Sequence, residues 1–281
     1  MLSVIIPSNN EEACIQTCLD AIIDQADLPQ GHATQIIVAA NGCDDQTVPL
    51  AQAKAAEFSA AGFDLQVLDI AIGNKMNALN QGEAVAKFGR RVYLDADIVI
   101  APSMLRELAD LLAADKPIYA SGTVNVPRPG SIVSRAYAKV WTSLPFVKNG
   151  VPGIGLYAVN APGRSRWGAF PPIYGDDRFV RLQFKPHERH KAKATYDWPL
   201  PEGFANLVHV RHRWREGNVE LAKAFPELED NDSEFNKSFG NMLRLLRTPF
   251  SSMVFVAVYL VSNARARHSR ARGGFVWRRG R

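Results

Sequence analysis

The sequence predicts an α/β fold built on a parallel sheet, on three observations. Apolar runs of strand length alternate with helix-like stretches from residue 2 to residue 114. The polar stretches between them all fall after strands. One run, residues 92–100, reads Val-Tyr-Leu-Asp-Ala-Asp-Ile-Val-Ile, an apolar segment enclosing Asp95 and Asp97. Continuous Val/Ile/Leu/Tyr composition marks a strand buried on both faces. Period-2 spacing puts both acids on one side of an extended chain. Unpaired charges inside a sheet are costly, so the strand is expected to end near Asp95, with the acids emerging at its carboxyl edge. Open α/β sheets bind ligands at that edge. Two oxygen donors there suit a hard divalent cation, Mg²⁺ or Mn²⁺, shared with a phosphate. Alternatively, Asp95 caps a turn and Asp97 is solvated.

The first strand spans residues 2–7 and is stopped by Pro7. Ser8-Asn9-Asn10-Glu11-Glu12 supplies N-cap types and acids for a helix start. Cys14, Ile15, Cys18, Leu19, Ile22 and Ile23 then recur at helical spacing. A second strand, residues 35–40, runs into Asn41-Gly-Cys-Asp-Asp-Gln-Thr47 and an Ala-rich helix to about residue 61. Residues 65–70 form a third strand. Gly73-Asn-Lys-Met-Asn-Ala-Leu-Asn-Gln-Gly82 follows, with a helix running through Ala86, and then the acidic strand.

The second half reads differently. Residues 121–172 are dense in Gly, Pro and aromatics and predict short strands and long loops. Ile173-Tyr-Gly-Asp-Asp-Arg-Phe-Val-Arg-Leu182 predicts a turn, an acid pair and a helix. Asp176 and Asp177 fit a helix N-terminus, where the dipole stabilises a carboxylate; Asp176 reads equally well as an N-cap alone. His209-Val-Arg-His-Arg-Trp-Arg-Glu-Gly217 gathers cations and an aromatic, either as a solvated basic face or as a diphosphate clamp, since Arg forks match phosphate oxygens. His209 and His212 read as surface or phosphate-contacting.

The chain of 281 residues carries a formal charge of +5, unevenly distributed. From Phe235 onward there are 10 basic residues and no acid, whereas residues 1–234 carry 23 basic and 28 acidic side chains. Such a tail seeks phosphates. The apolar stretch from Phe250 to Val261 is short of the ~20 residues a spanning helix needs. Arg244 and Arg247 precede it, and Arg265, Arg267, Arg270 and Arg272 follow. The pattern fits an interfacial anchor on an anionic membrane; a core or oligomer helix is the other reading. Nucleic acid would attract the arginines but leaves the apolar helix unexplained. Three cysteines show neither zinc spacing nor a disulfide framework, and no signal peptide is evident, so the expected setting is cytoplasmic, peripheral at the inner face of the cell membrane.

Taken in order, Val-Ile-Ile-Pro-Ser-Asn-Asn-Glu-Glu, Asn-Gly-Cys-Asp-Asp-Gln-Thr, Gly-Asn-Lys-Met-Asn-Ala-Leu-Asn-Gln-Gly, Leu-Asp-Ala-Asp and Gly-Asp-Asp-Arg-Phe-Val-Arg resemble the family 2 glycosyltransferases of the GT-A fold. Arg213-Trp214 with Gly217 is similar to the family's Arg-Trp segment. The resemblance covers about residues 2–217. It implies a mixed, Rossmann-like nucleotide-binding sheet flanked by helices, with a C-terminal amphipathic or apolar helical extension. The implied division is a GT-A domain over 1–225, with a nucleotide-sugar half (1–100) and an acceptor half (101–225), and an extension over 226–281.

By the same resemblance, Pro7 and Glu11 match the first nucleotide-binding loop, and Asn41 and Asp45 the second. Lys75 matches a basic residue near the nucleotide. Asp95 and Asp97 match the Asp-x-Asp that binds nucleotide sugar and metal, and Asp177 matches the general base. Arg213 and Trp214 are expected on the nucleotide sugar. The implied cofactor is Mn²⁺ or Mg²⁺, and the implied reaction is an inverting, metal-dependent sugar transfer to a hydroxyl of a lipid-linked or cell-surface glycan. Two departures stand out. Ala40 replaces an Asp that contacts the base in many members, so UDP is the default donor nucleotide and GDP remains possible. Val210 stands where processive synthases carry Gln, which favours addition of a single sugar. The competing classes are a nucleotidyltransferase, disfavoured because residues 7–12 lack Gly, and a non-catalytic membrane or nucleic-acid binding protein.

Overall fold

The first two apolar runs form two deeply buried strands. Leu2–Ser8 (β1) and Thr34–Asn41 (β2) lie parallel, with Leu2 opposite Thr34 and Ser8 opposite Ala40. Every residue of β2 is buried, as the apolar run of residues 36–40 at its centre requires. Asp64–Ile70 (β3) flanks β2 and Arg91–Leu94 (β4) flanks β1, both in parallel. The computed structural model describes residues 1–25, 28, 33–232 and 248–271, with side chains to residue 267. Arg244, Arg247 and Arg272, and the side chain of Arg270, lie outside the described residues.

Beyond β4 the strands change direction. Leu156–Val159 (β7) is antiparallel to both β4 and Tyr119–Asn125 (β6). Arg189–Asp197 (β8) is parallel to β6, and Val99–Ile100 (β5) pairs antiparallel with β8. The outcome is an eight-stranded mixed sheet in the order β3-β2-β1-β4-β7-β6-β8-β5. The parallel reading of residues 2–114 holds for β1–β4, and the mixed sheet implied by the family resemblance is the one found.

Helices cover the sheet where the periodicity placed them. Ile15–Ile23 (α1) buries Ile15, Cys18, Leu19 and Ile22. The Ala-rich stretch breaks at Lys54 into Thr47–Ala53 (α2) and Ala55–Ala60 (α3); the Lys54 ammonium lies 2.7 Å from Asp20 and 2.9 Å from Glu57. Lys75–Val85 (α4) starts at an Asn74 cap whose side chain accepts from the Asn77 N–H. It approaches the sheet closely at Gly82, where a Cβ would stand 2.6 Å from Ile5 Cγ2. Met104–Leu111 (α5) and Ala161–Arg164 (α8) complete the helices of this part. Buried polar side chains tie its strands together: Ser3 donates to Gln35 across β1 and β2 at 2.9 Å, and Gln35 accepts from the Lys87 N–H at 2.8 Å.

The chain divides into two compact units. The sheet unit comprises Met1–Asn125, Val151–Pro172 and Gln183–Trp198. The helical unit comprises Val126–Gly150, Ile173–Leu182 and the described residues from Pro199 onward. It contains Ile132–Trp141 (α6), Pro145–Lys148 (α7), Asp176–Leu182 (α9), Gly203–Ala224 (α10), a 3-10 helix at Pro226–Asp232, and Pro249–Ala271 (α11).

Helix α6 corrects the expectation of strands and loops between residues 121 and 172. The Gly and Pro residues cluster on its flanks, at Pro127, Pro129, Gly130, Pro145 and Gly150. Ser131 caps the intervening stretch, its hydroxyl accepting from the Ser134 N–H, and Ala136, Tyr137, Val140 and Trp141 are buried at helical spacing. Helix α11 likewise runs well past the apolar segment and carries its arginines on the same 23-residue rod.

Candidate active site

Four parallel strands end on one edge of the sheet unit, and the loops that follow them are laced together by side chains. Pro7 falls after the β1–β4 pairing has ended at Ile5, so its missing N–H breaks no bond to β4. At the end of β2, buried Asn41 donates to the Ser8 carbonyl at 2.7 Å and accepts from the Asn74 N–H at 2.9 Å. It thereby ties the loops after β1, β2 and β3. Gly42 follows at φ +55°, and a Cβ there would stand 2.5 Å from the Gly73 nitrogen; only glycine fits this approach of two backbones.

The first loop is held against the second. The Asn9 amide donates to the carbonyls of Asn41 and Gly42 at 2.5 and 3.1 Å. The Glu11 N–H donates to Thr47 Oγ1 at 2.7 Å and the Glu12 N–H to Asp45 Oδ2 at 3.0 Å. Cys14 Sγ donates to the Glu11 carboxylate at 2.9 Å. Asp45 also accepts from the Thr47 N–H and hydroxyl, at 2.9 and 2.6 Å. Burial pushes the Asp45 carboxyl up, but these hydrogen bonds prevail and hold it below the usual carboxylate range. Asn41 and Asp45 thus build the loops themselves. The sequence reading missed Asn9 and Asn74, whose part in the lacing depends on partners about thirty residues away.

The acid pair emerges where the chemistry required. β4 stops at Leu94, and Asp95-Ala96-Asp97 forms the turn before β5. The backbone at Asp95 is fixed on both sides: its N–H donates to the Gly155 carbonyl at 2.8 Å, and its carbonyl accepts from the Ile98 N–H at 3.1 Å. Lys75, at the start of α4, donates to Asp95 Oδ1 at 2.8 Å. Both side chains of that pair are a little over a third exposed. Asp95 and Asp97 are half-buried, while Ala96 between them points into the core. Lys75, Asp95 and the laced loops carrying Glu11, Asn41 and Asp45 are therefore features of one unit.

In the helical unit, α9 opens with the acid pair. Asp176 is buried and Asp177 half-buried, and Asp177 Oδ1 accepts from the Arg178 N–H at 2.7 Å. The turn before it sits on α10: a Cβ at Gly217 would stand 2.7 Å from the Tyr174 carbonyl oxygen, and the Tyr174 N–H donates to Glu220 at 2.9 Å. Arg213 and Trp214 precede Gly217 by four and three residues on the same face of α10. The structure thus brings the Gly-Asp-Asp turn and the Arg-Trp segment to one helix face. His212 is buried, which removes the surface reading of that histidine.

Helix α9 is pinned from the other side. Arg178 lies 2.9 Å from Glu229 and 2.8 Å from Asp232, and Arg181 lies 2.5 Å from Asp232. The acidic run Glu227-Leu-Glu-Asp-Asn-Asp232, opposite Arg178 and Arg181 at i, i+3 spacing on a helix, was the signal that could have revealed this clamp. Burial raises the Asp232 carboxyl, but the Arg181 charge and the hydrogen bonds from both arginines outweigh it and set it below the usual range. A carboxyl depressed in the folded state adds stability that is complete above its unfolded pKa, about 3.9, and lost as pH falls through the folded value. Asp232→Asn should therefore cost about 1–3 kcal/mol at neutral pH. Urea melts of variant and wild type should converge as pH drops below about 4.

A mixed sheet with laced loops at its parallel carboxyl edge and an Asp-x-Asp turn after the fourth parallel strand defines a GT-A nucleotide-sugar fold. Solved structures share it. A mannosyltransferase from Pyrobaculum calidifontis aligns over 98% of this chain and 76% of its own, at TM-score 0.59 and 20% identity. TarS 1-349 of S. aureus aligns over 94% of this chain and 82% of its own, at TM-score 0.54 and 14% identity. Glucosyl-3-phosphoglycerate synthase from Mycobacterium tuberculosis aligns over 79% of each chain, at TM-score 0.52 and 18% identity. At such identities the likeness is one of fold. No curated protein sequence gives a significant match. The sequence model of glycosyl transferase family 2 matches residues 3–150, more than half of the chain. The protein belongs to that family and is a glycosyltransferase.

Proposed function

We propose that the protein moves one sugar from a nucleotide diphosphate sugar to an acceptor hydroxyl, with inversion at the anomeric carbon. The observation that carries this reading is the Asp95-Ala96-Asp97 turn at the end of β4, with Lys75 on Asp95, in a chain of this family. Similar folds are solved with such donors or with the nucleotide alone: the P. calidifontis enzyme with GDP-Man and Mn²⁺, TarS with UDP-GlcNAc, and the M. tuberculosis synthase with UDP, Mn²⁺ and glucosyl-3-phosphoglycerate. UDP remains the default donor nucleotide, with GDP the alternative.

Asp95 and Asp97 fit a small hard cation. They offer carboxylate oxygens two residues apart, and no group of three or more candidate ligands forms among the described residues. An incomplete oxygen set of this kind suits Mg²⁺ or Mn²⁺, which keep waters and take phosphate oxygens. When bound, the ion would offset charge on the leaving diphosphate. The other steps belong to the chain. The loops at Pro7, Glu11, Asn41 and Asp45 seat the nucleotide, and Lys75, Arg213 and Trp214 hold the diphosphate sugar. Asp177 takes the proton of the acceptor hydroxyl as its oxygen bonds to the anomeric carbon and the bond to the diphosphate breaks.

In this reading residues 1–100 form the donor half, 101–225 the acceptor half and 226–281 an extension at an anionic membrane surface. Basic composition at the C-terminal end supports an acceptor presented there, a lipid-linked or cell-surface glycan at the inner face of the membrane. A panel of UDP- and GDP-sugars, each with and without Mn²⁺ or Mg²⁺, tests the chemistry. One donor should raise the melting temperature and be slowly hydrolysed, both only with metal. If no nucleotide sugar shifts the melt or turns over, the proposal fails.

A further inference from the structure

Helix α11 has two faces, and together they decide how it can meet a membrane. One face is built into the helical unit: Ser251, Val254, Val258, Ser262 and Ala266 are buried. Tyr137 of α6 stacks on Phe255 at 5.1 Å, Arg211 of α10 lies 4.7 Å over the Tyr259 ring, and Arg215 donates to Asn263 at 2.6 Å. The opposite face carries Phe250, Met253, Val256 and Leu260 at helical spacing, all exposed, with Tyr259 at its margin. Arg267 follows Leu260 by seven residues, two turns on, and continues the same face. Arg265 and Arg267 are both exposed, and no acid occurs from Phe235 onward.

The neighbouring helices extend this surface at one end. Glu202, just before α10, accepts from the N–H groups of Gly130 and Ser131, just before α6, at 2.7 and 2.8 Å. The pairs Tyr137–Phe255, Arg211–Tyr259 and Arg215–Asn263 advance together along the chains, so α6, α10 and α11 run in the same direction with their first turns level. At that end Ile132, Phe204 and Phe250 are all exposed.

We infer that the outward face of α11, through Phe250, Met253, Val256 and Leu260, seats the protein on an anionic lipid surface with the helix lying in the interface plane. The inference deepens the membrane part of the proposed function and is independent of its chemistry. Spanning is disfavoured because α11's other face is committed to α6 and α10, and because no described helix is long and apolar enough to cross a membrane. A second copy of the chain fits less well: a stable interface uses about 20–30 residues a side, and the exposed large apolar residues here, Ile132 and Phe204 included, number seven. An exposed apolar stripe with exposed Arg265 and Arg267 beyond its end matches an acyl boundary beside anionic headgroups.

Flotation of the full-length protein with phosphatidylcholine vesicles, with and without phosphatidylglycerol, tests the inference. Wild type should float with the anionic vesicles and less so at high salt. The variant Phe250→Gln/Met253→Gln/Leu260→Gln changes side chains that are 51%, 62% and 59% exposed, and should melt like wild type. Its vesicle partitioning should fall by about tenfold or more. Equal partitioning of variant and wild type overturns the assignment, because the arginines alone would then suffice. Absence of vesicle binding, or a dimer that the variant dissociates, overturns it as well. Nucleotide-sugar hydrolysis by the same samples reports separately on the chemistry, so vesicle binding without turnover removes the proposed reaction and leaves this surface standing.

Discussion

Asp97→Asn should reduce sugar transfer by about three orders of magnitude or more and leave the fold intact. The substitution keeps the size of the side chain and removes one hard anionic oxygen donor. Electrostatic support of the leaving diphosphate is worth several kcal/mol, and each 1.36 kcal/mol is a factor of about ten in rate. Stability should be nearly unchanged, because Asp97 is half-buried in a turn whose backbone is fixed by hydrogen bonds at Asp95 and Ile98. Excess chelator should reproduce the loss in wild type. Asp95→Asn makes an informative partner, since it also breaks the Lys75 ion pair. Both members of that pair are more than a third exposed, so the accompanying loss of stability should stay below about 1 kcal/mol. Full activity of Asp97→Asn, or of wild type in chelator, would rule out a metal-assisted departure.

Asp177→Asn should lower turnover by about 10²-fold or more, the scale of a lost general base. The amide cannot accept the acceptor's proton, yet its oxygen can still receive the Arg178 N–H that holds the side chain now. Nucleotide-sugar affinity should change by less than about twofold, because Asp177 is assigned to the acceptor hydroxyl and not to the donor. Titrating the donor by calorimetry, alongside single-turnover kinetics, separates the two effects. A collapse of donor affinity with surviving turnover of bound substrate would reassign Asp177 to a structural part.

The sheet's first half was legible because β1, β2 and β4 carry apolar runs and each strand is punctuated by turn residues. The end of β4 was legible for a sharper reason: two acids cannot stay inside a buried strand, so Asp95 had to mark its exit. What escaped were features set by partners far along the chain. Helix α6 was hidden by the Gly and Pro on its flanks, and the break at Lys54 by an Ala-rich stretch that reads as one continuous helix. The clamp of Glu229 and Asp232 on Arg178 and Arg181 joins residues about fifty positions apart, beyond the reach of local pattern. The part played by Asn41 was half legible for the same reason. The family resemblance marks it as a nucleotide-loop residue, whereas its joining of three loops rests on Ser8 and Asn74, each 33 positions away.

The Asp95 turn is closed by segments made much later. Its N–H is held by the Gly155 carbonyl, β4 pairs with β7 at residues 156–159, and β5 pairs with Tyr196 and Asp197 at the end of β8. During synthesis, residues 91–100 leave the ribosome with two pairing edges unfilled and wait for roughly a hundred more residues. At about 5–20 residues per second that interval lasts several seconds, ample time for an apolar strand edge to meet a wrong partner. A chain cut at residue 150 would contain the Asp-x-Asp sequence and lack β7 and β8 altogether. The acid pair is thus encoded early and assembled late.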